Sequence, residues 1–173
     1  EDDIVLEEVV TNAPILDRFL LRGKPGTMFR SGGSSLGWGL GAAMGVKLAA
    51  PDKMVITLVG DGNFVFCNPT AALWAADIHH TPYLCVIFNN RLYRAPKRAL
   101  SEAYGGESAS EKTGVWLGVD IAPPPDYAML ARASRAYGET VTDPGELVAA
   151  LGRARKEVLG GRAAVVDVWI SEE

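Results

Sequence analysis

Two runs of apolar residues, each followed at once by polar ones, stand at the centre of the chain. Residues 54–59 and 83–88 are apolar on consecutive positions, which is typical of central parallel strands covered on both faces. Between them, residues 69–76 are mostly small and predict a helix, with Asn68 as its N-cap and Pro69 at its first position. The pattern therefore predicts a strand, a turn, a helix and a second strand at the core of the fold.

Strand and helix patterns alternate along the rest of the chain as well. Further strands are predicted over residues 4–6, 138–141 and 163–170, and further helices over residues 14–21, 36–50, 126–137 and 145–158. Thr11 and Asn12 can cap the first of these helices, and the second, apolar all round, is predicted to be buried. Such alternation predicts an α/β fold with a doubly wound, mostly parallel sheet and helices on both faces.

Two stretches depart from this alternation. Residues 31–45 are rich in glycine, and their first half predicts a loop whose backbone N–H and C=O groups could face a ligand. A tight loop before a crowded core helix is the alternative, and glycine content alone does not decide between them. Residues 91–125 are polar and rich in glycine and proline, and they predict a long loop that is either functional or disordered.

Length and composition favour a single domain. With 173 residues, 48% of them hydrophobic, the chain has material for one substantial core, so the predicted domain spans residues 1–173. The chain begins without an initiator methionine and reaches an apolar run at residue 4. We therefore expect a domain that belongs to a longer polypeptide, or one subunit of a split protein.

Charge and hydropathy exclude several classes of function. The chain carries 17 basic and 21 acidic residues, a net charge of -4, and no basic stripe, so nucleic acid is not an expected partner. No apolar run reaches the roughly 18 to 20 residues that span a bilayer, which predicts a cytoplasmic protein with no membrane partner. Cys67 and Cys85 lie in or beside apolar stretches and are predicted to be buried free thiols.

Polar groups follow both central strands at the point where each strand ends. Gly60-Asp61-Gly62 follows the first strand, and the pair Asn89-Asn90 follows the second. Because parallel strands end on the same edge of a sheet, these groups are expected to meet where such sheets bind ligands. Carboxylate and amide oxygens suit magnesium or calcium, and the N–H groups of Gly62 and Asn63 lie nearby for phosphate oxygens. This edge is therefore predicted to hold a metal-bridged diphosphate.

In these features the chain resembles the diphosphate-binding domain of the thiamine diphosphate enzymes. The signature of that family is Gly-Asp-Gly, a spacer, and an asparagine pair after an apolar strand; here it is Gly60-Asp61-Gly62, 26 residues, and Asn89-Asn90. The segment LGWGLGAA at residues 36–43 is similar to the glycine-rich stretch of the acetolactate synthase and benzoylformate decarboxylase branch. The resemblance continues through the last predicted strand, so it covers nearly the whole chain.

The resemblance implies a ligand set for magnesium and for the cofactor, thiamine diphosphate. Mg²⁺ would be bound by Asp61, by Asn90 and by the backbone carbonyl of Leu92, while Gly62 and Asn63 would hold the diphosphate. The implied cofactor-binding residues are Ser34, Leu36, Gly60, Asp61, Gly62, Asn63 and Asn90.

The head of the cofactor has implied contacts of its own. Leu36 occupies the place of the bulky apolar residue that supports the bent cofactor, and the carbonyl of Ser34 would accept a hydrogen bond from the aminopyrimidine. Ala95 and Pro96 would face the thiazolium.

The resemblance also implies a reaction and a missing partner. In this family the thiazolium attacks the carbonyl of a 2-oxo acid, CO₂ leaves, and the product is released or joined to another carbonyl. The activating glutamate comes from a separate pyrimidine-binding domain, usually across a subunit interface, and neither Glu7 nor Glu8 matches it. The chain is therefore expected to supply half of an active site, as a C-terminal domain or as one subunit of a split enzyme, with little or no activity alone.

Two alternatives remain open from the sequence. A Rossmann-type nucleotide-binding domain is one, although no G-x-G-x-x-G follows the first strand. A regulatory or interaction module that has kept the fold and lost the chemistry is the other.

The apolar glycine-rich helix predicts a partner surface, so a homodimer or higher oligomer is also expected.

Overall fold

The two central apolar runs form adjacent strands of one parallel sheet. The computed structural model describes residues 2–21, 23–33 and 35–171. The strands are β1 (Ile4–Glu8), β2 (Met28–Arg30), β3 (Val55–Gly60), β4 (Leu84–Asn89), β5 (Tyr137–Val141) and β6 (Ala164–Trp169). All six pair in parallel in the order β2-β1-β3-β4-β6-β5, which confirms the predicted doubly wound sheet.

Helices pack on both faces of this sheet, as predicted. The helices are α1 (Ala13–Phe19), α2 (Gly39–Ala49), α3 (Asp61–Phe66), α4 (Pro69–Ile78), α5 (Arg94–Tyr104), α6 (Ala109–Thr113), α7 (Tyr127–Ala133) and α8 (Leu147–Leu159), with a 3₁₀ turn at Pro144–Glu146. One apolar cluster joins the sheet to α2, α3, α4 and α7, through residues such as Leu40, Phe64 and Tyr127. A second cluster joins the opposite face to α8, through Ala150 and Ala154.

The face of the sheet that carries α1 and α8 is incompletely covered. Side chains alternate along β3, so Val55 and Val59 are fully buried while Ile56 and Leu58 are only partly buried. The latter two line an apolar groove of about 470 Å³ between α1 and α8, and α1 itself has no buried residue. The prediction that both faces of this strand are covered is therefore wrong for one of them.

The stretch at residues 91–125, predicted to be a loop, contains two helices. The helix α5 ends at Tyr104 and is followed by Gly105, which adopts the left-handed conformation with φ 55° that often terminates a helix. The helix α6 begins with a capping box, in which the hydroxyl of Ser108 accepts from the N–H of Glu111 and the Glu111 carboxylate accepts from the N–H of Ser108. The loop prediction is therefore wrong for much of this stretch.

Several predicted element boundaries also need correction. The short strand β2 was not predicted, and the helix predicted over residues 126–137 ends at Ala133, after which Tyr137 begins β5. Asn68 does occupy the N-cap position of α4, but its backbone is left-handed with φ 49° and its side chain makes no capping hydrogen bond. The side chain of Asn12 does not cap α1 either.

The glycine-rich helix is buried on one side only. Within α2, Gly39, Leu40 and Ala43 are buried against the sheet, whereas Gly41 is exposed and Leu48 retains 65% of its accessible surface. The prediction of a helix buried all round is therefore wrong for the chain by itself.

The two thiols are where the sequence predicts them. Cys67 and Cys85 are free and buried, and burial raises the pKa of Cys67 to about 12. Both thiols are therefore protonated at neutral pH.

Among the described residues, no helix has the length and apolar character needed to cross a membrane.

Candidate functional site

The carboxyl ends of β3 and β4 open into a cleft of about 360 Å³. Asp61 follows β3 directly as the first residue of α3, and Asn89 is the last residue of β4. The two strands are parallel neighbours, with Gly60 opposite Phe88, so both polar ends lie on one edge. Of the residues predicted from the sequence, the cleft is lined by Leu36, Gly60, Asp61, Gly62, Asn63, Asn90, Leu92, Ala95 and Pro96. The remaining predicted residue, Ser34, lies outside the described residues.

Asp61 is a buried carboxylate, and no ion pair within the described ranges involves it. The residue is 3% exposed, and its Oδ1 accepts a hydrogen bond from the N–H of Gly62 at 2.9 Å. Its Oδ2 has no hydrogen-bond partner in the part of the chain that the structure describes. Burial raises the pKa of Asp61, and the nearby N–H groups of Gly62, Arg91 and Leu92 act against that rise. A divalent cation at Oδ2 would remove the cost of this buried charge.

The turn after β4 brings Asn90 and Leu92 to the cleft that Asp61 lines. Asn90 is buried, and its Oδ1 accepts a hydrogen bond from the N–H of Leu92 at 3.2 Å. Arg91, between them, has a left-handed backbone with φ 59°, so the chain reverses sharply here. Residues 2–21, 23–33 and 35–171 hold no group of three or more His, Cys, Asp or Glu that could bind a metal. A metal in this cleft would therefore rely on one carboxylate and on neutral oxygens, a set that fits Mg²⁺.

The first turn of α3 provides donors and space beside Asp61. Asn63 is 6% exposed, and its Nδ2 has no partner within the described residues. A buried amide donor in a cleft favours an anionic oxygen as its acceptor. A Cβ added at Gly62 would lie 2.3 Å from Cε1 of Tyr93, so only glycine lets this ring pack against the turn.

The glycine-rich loop beside the cleft is held by Glu8. This residue ends β1, is 5% exposed, and its Oε2 accepts from the N–H of Gly39 at 2.7 Å. Its Oε1 accepts from the N–H groups of Gly37 and Trp38. A Cβ at Gly39 would lie 2.6 Å from Oε2, so glycine is required for this contact. Glu8 thus caps the start of α2 and fixes the backbone next to Leu36.

Comparison with known proteins identifies the family. The family model "Thiamine pyrophosphate enzyme, C-terminal TPP binding domain" matches residues 10–168 of the chain. The chain belongs to this family. Thiamine pyrophosphate (TPP) and thiamine diphosphate are two names for one cofactor, so the predicted family is confirmed. The Rossmann-type alternative is not favoured by this match.

The relatives of this thiamine diphosphate-binding domain are larger enzymes. It is 31% identical over 148 residues, 85% of the chain, to the acetolactate synthase isozyme 3 large subunit of Escherichia coli K12, and it spans 24% of that protein. It is 38% identical over 72 residues, 42% of the chain, to the benzoylformate decarboxylase of Pseudomonas aeruginosa, and it covers 13% of that protein. The chain thus spans a quarter or less of the length of these relatives.

A solved structure shares the fold of this thiamine diphosphate-binding domain. The thiamine diphosphate-dependent 4-hydroxybenzoylformate decarboxylase of Rhodococcus jostii RHA1 superposes with a TM-score of 0.82 at 27% identity, over 100% of this chain and 30% of that one. The six-stranded parallel sheet therefore matches the fold of such enzyme domains.

Sequence reasoning missed one wall of the cleft in this thiamine diphosphate-binding domain. Val10, Thr11 and Asn12, which follow β1, line it together with Tyr93 and Arg94. Their position at the carboxyl end of β1 is the available signal, because every strand of a parallel sheet ends on this edge. Thr11 and Asn12 were instead assigned to capping α1.

Proposed function

We propose that this domain binds Mg²⁺ and thiamine diphosphate, through the diphosphate, in an enzyme that decarboxylates or carboligates 2-oxo acids. The observation that carries the proposal is the buried Oδ2 of Asp61, which has no hydrogen-bond partner in the described part of the chain. It lies in a cleft shared with Asn63 and Asn90. Oxygen ligands of this kind would hold Mg²⁺, and the Asn63 amide, which has no partner within the described ranges, would donate to a phosphate oxygen.

Each residue of the cleft has a part in this proposal. Asp61, the side chain of Asn90 and the carbonyl of Leu92 would bind Mg²⁺, while Asn63 and the backbone of Gly62 would bind the diphosphate. Leu36 would support the bent cofactor, and Ala95 and Pro96 would line the space beside its thiazolium. When bound, the cofactor would supply the nucleophile and the electron sink that decarboxylation of a 2-oxo acid requires.

The proposed enzyme needs a second domain. The two glutamates nearest the cleft on β1 are already engaged, since Glu8 caps α2 and Glu7 forms an ion pair with Arg30. We therefore assign the activating glutamate to a pyrimidine-binding domain or subunit, which would also close the cleft. Without that partner the chain should have little or no activity.

The free thiols Cys67 and Cys85 suit a reducing compartment, and we place the protein in the cytoplasm.

Cofactor titration tests the proposal directly. Isothermal titration calorimetry of the chain together with its pyrimidine-binding domain should show binding of thiamine diphosphate with Mg²⁺ present. After the metal is removed with a chelator, the same titration should show no binding, because the diphosphate would meet the uncompensated charge of Asp61. Binding that does not depend on a divalent metal, or no binding at all, would contradict the proposed function.

The partner surface is proposed to be the exposed side of α2 and α4. Leu48 on α2 is 65% exposed, and Trp74 and Ile78 on α4 are 54% and 46% exposed. The exposed Gly41 and Gly45 lie on the same helix as Leu48 and allow another backbone to approach closely. Exposed apolar residues on two helices that pack against each other favour self-association or contact with the pyrimidine-binding domain.

Replacing Leu48 and Trp74 together by glutamate should weaken this association. A buried tryptophan anchor contributes about 2 kcal/mol or more, so the Kd of the oligomer should rise at least about 30-fold. Sedimentation velocity over a range of concentrations measures the change. Val148→Glu is the matched control, since Val148 is 82% exposed on α8 at the opposite face. A wild-type chain that stays monomeric at high concentration, alone and with its partner domain, would refute the assignment.

A further inference from the structure

Another buried carboxylate lies next to the turn that carries Asn90, on the neighbouring strand β6. Asp167 on β6 is 2% exposed and does not line the cleft. Its Oδ1 accepts a hydrogen bond from Nδ2 of Asn89 at 2.9 Å, and its Oδ2 accepts one from Nε1 of Trp169 at 3.2 Å. Among the described residues it has no ion pair. A buried charge without a cation is poorly explained by stability alone.

The hydrogen bond from Asn89 to Asp167 fixes the orientation of the Asn89 amide. A carboxylate only accepts, so the NH₂ end of the amide must point toward β6. The Oδ1 end of Asn89 then points toward the turn, where it accepts a hydrogen bond from the N–H of Arg91 at 3.1 Å. The fully buried Asn89 thus connects Asp167 to the backbone of the turn.

The same turn is held from the side of β6 by Trp169. The guanidinium of Arg91 lies 4.9 Å from the centre of the Trp169 ring, a cation–π contact. The N–H of Ile170 donates to the carbonyl of Asn89 at 2.9 Å. Arg91 has a left-handed backbone, which is unfavourable for a residue with a side chain and persists only where its surroundings impose it. Asn89 and Trp169 contact Arg91 directly, and Asp167 holds both of them.

We propose that Asp167 is a positioning residue for the metal site: through Asn89 it holds residues 89–92 in the turn that presents Asn90 and the Leu92 carbonyl to the metal. The inference rests on the proposed function and adds to it a residue that does not contact the cofactor. Outer-shell groups of this kind orient metal ligands, and their loss typically lowers metal affinity about 10- to 100-fold.

The decisive variant is Asp167→Asn in the complete enzyme, with its pyrimidine-binding domain. Asparagine has the same size, but an NH₂ group replaces one of the two oxygens, and Asn89 and Trp169 donate to different oxygens. One of these two donors would therefore face another donor. Mn²⁺ binding is measured by electron paramagnetic resonance with thiamine diphosphate present and no substrate. The Kd for Mn²⁺ should rise at least about tenfold, and turnover should recover at saturating Mn²⁺. Trp169→Phe, which keeps the ring beneath Arg91 and removes the N–H donor, should give a smaller rise.

Thr57→Val is the matched control. Thr57 is buried on β3 and its Oγ1 has no partner within the described residues, so its loss should leave the Kd within about twofold, as for independent sites. An Asp167→Asn enzyme with wild-type Mn²⁺ affinity and a lower melting temperature would reduce Asp167 to a structural role and overturn the inference. Should that variant not fold, an unchanged Kd in Trp169→Phe overturns it. A wild-type enzyme that binds no Mn²⁺ refutes the proposed function itself.

Discussion

Asp61→Asn is expected to abolish metal-dependent binding of thiamine diphosphate while the fold remains intact. The substitution removes the only carboxylate among the described residues that line the cleft and preserves the volume of the side chain. Loss of a direct ligand should exceed the 10- to 100-fold effects of outer-shell changes, so binding should fall by more than about 100-fold. Calorimetric titration with Mg²⁺ and thiamine diphosphate measures the loss. Asp52→Asn, at a turn remote from the cleft, is the control.

The same variant should be at least as stable as the wild type when no metal is present. Burial raises the pKa of Asp61 above its usual 3.8, so the folded state binds a proton more readily than the unfolded state. This group therefore favours folding at low pH, and that contribution is lost as the pH rises through the folded-state pKa. Asp61→Asn should remove this component from the pH dependence of the free energy of unfolding. A markedly less stable variant would show that the carboxylate serves the fold.

Glu8→Ala is expected to produce the largest loss of stability at the edge of the cleft. Its carboxylate accepts from the N–H groups of Gly37, Trp38 and Gly39, which would otherwise be left unsatisfied at the start of α2. Each unsatisfied buried group costs about 1–3 kcal/mol, and water can reach the partly exposed ones, so a total of about 3 kcal/mol is expected. Urea denaturation monitored by circular dichroism measures this change.

Two further variants test whether the capping contacts explain the loss. Glu8→Gln retains the shape and one acceptor oxygen, so it should lie between the wild type and Glu8→Ala. Glu146→Ala removes an exposed glutamate at the N-terminal end of α8 and should change the free energy of unfolding by less than about 0.5 kcal/mol. Equal stabilities for Glu8→Ala and Glu146→Ala would contradict the capping role.

The centre of the fold and the core of the site could be predicted because their signals are local. The apolar runs of β3 and β4 are long and continuous, so their ends, and with them Asp61 and Asn90, follow from the sequence. The parallel arrangement of the strands then brings the two residues to one edge without any knowledge of side-chain contacts. Their roles as metal ligands remain predictions.

The helices α5 and α6 were missed for identifiable reasons. Neither has a buried residue. The sequence of α5 is polar overall, and its few apolar residues, such as Ala95, Ala99 and Ala103, recur every four positions without forming an apolar run. The Ser108-x-x-Glu111 pattern of the capping box was visible in the sequence and predicts the start of α6. Gly105, just past the end of α5, was a second readable signal.

Other features could not be predicted because they depend on distant pairs. Glu8 reaches Gly39 across 31 positions, and Asp167 reaches Asn89 across 78. The residues adjacent in sequence to either carboxylate do not identify its hydrogen-bond partner, since the order of strands in the sheet determines which residues meet. The incomplete cover over Ile56 and Leu58 has the same origin, because it depends on the placement of α1 and α8.

The strand order also determines when the site can form during folding. No two neighbours in this sheet pair through a hairpin, so every pairing closes a long loop before it gains contacts. Gly60 and Phe88 meet only when β3 and β4 are in register, and this pairing is what brings Asp61 and Asn90 together. The edge that carries Asp61 and Asn90 can therefore form only when the middle of the sheet has formed. A partly folded chain with the central strands unpaired would have no binding site to offer a cofactor.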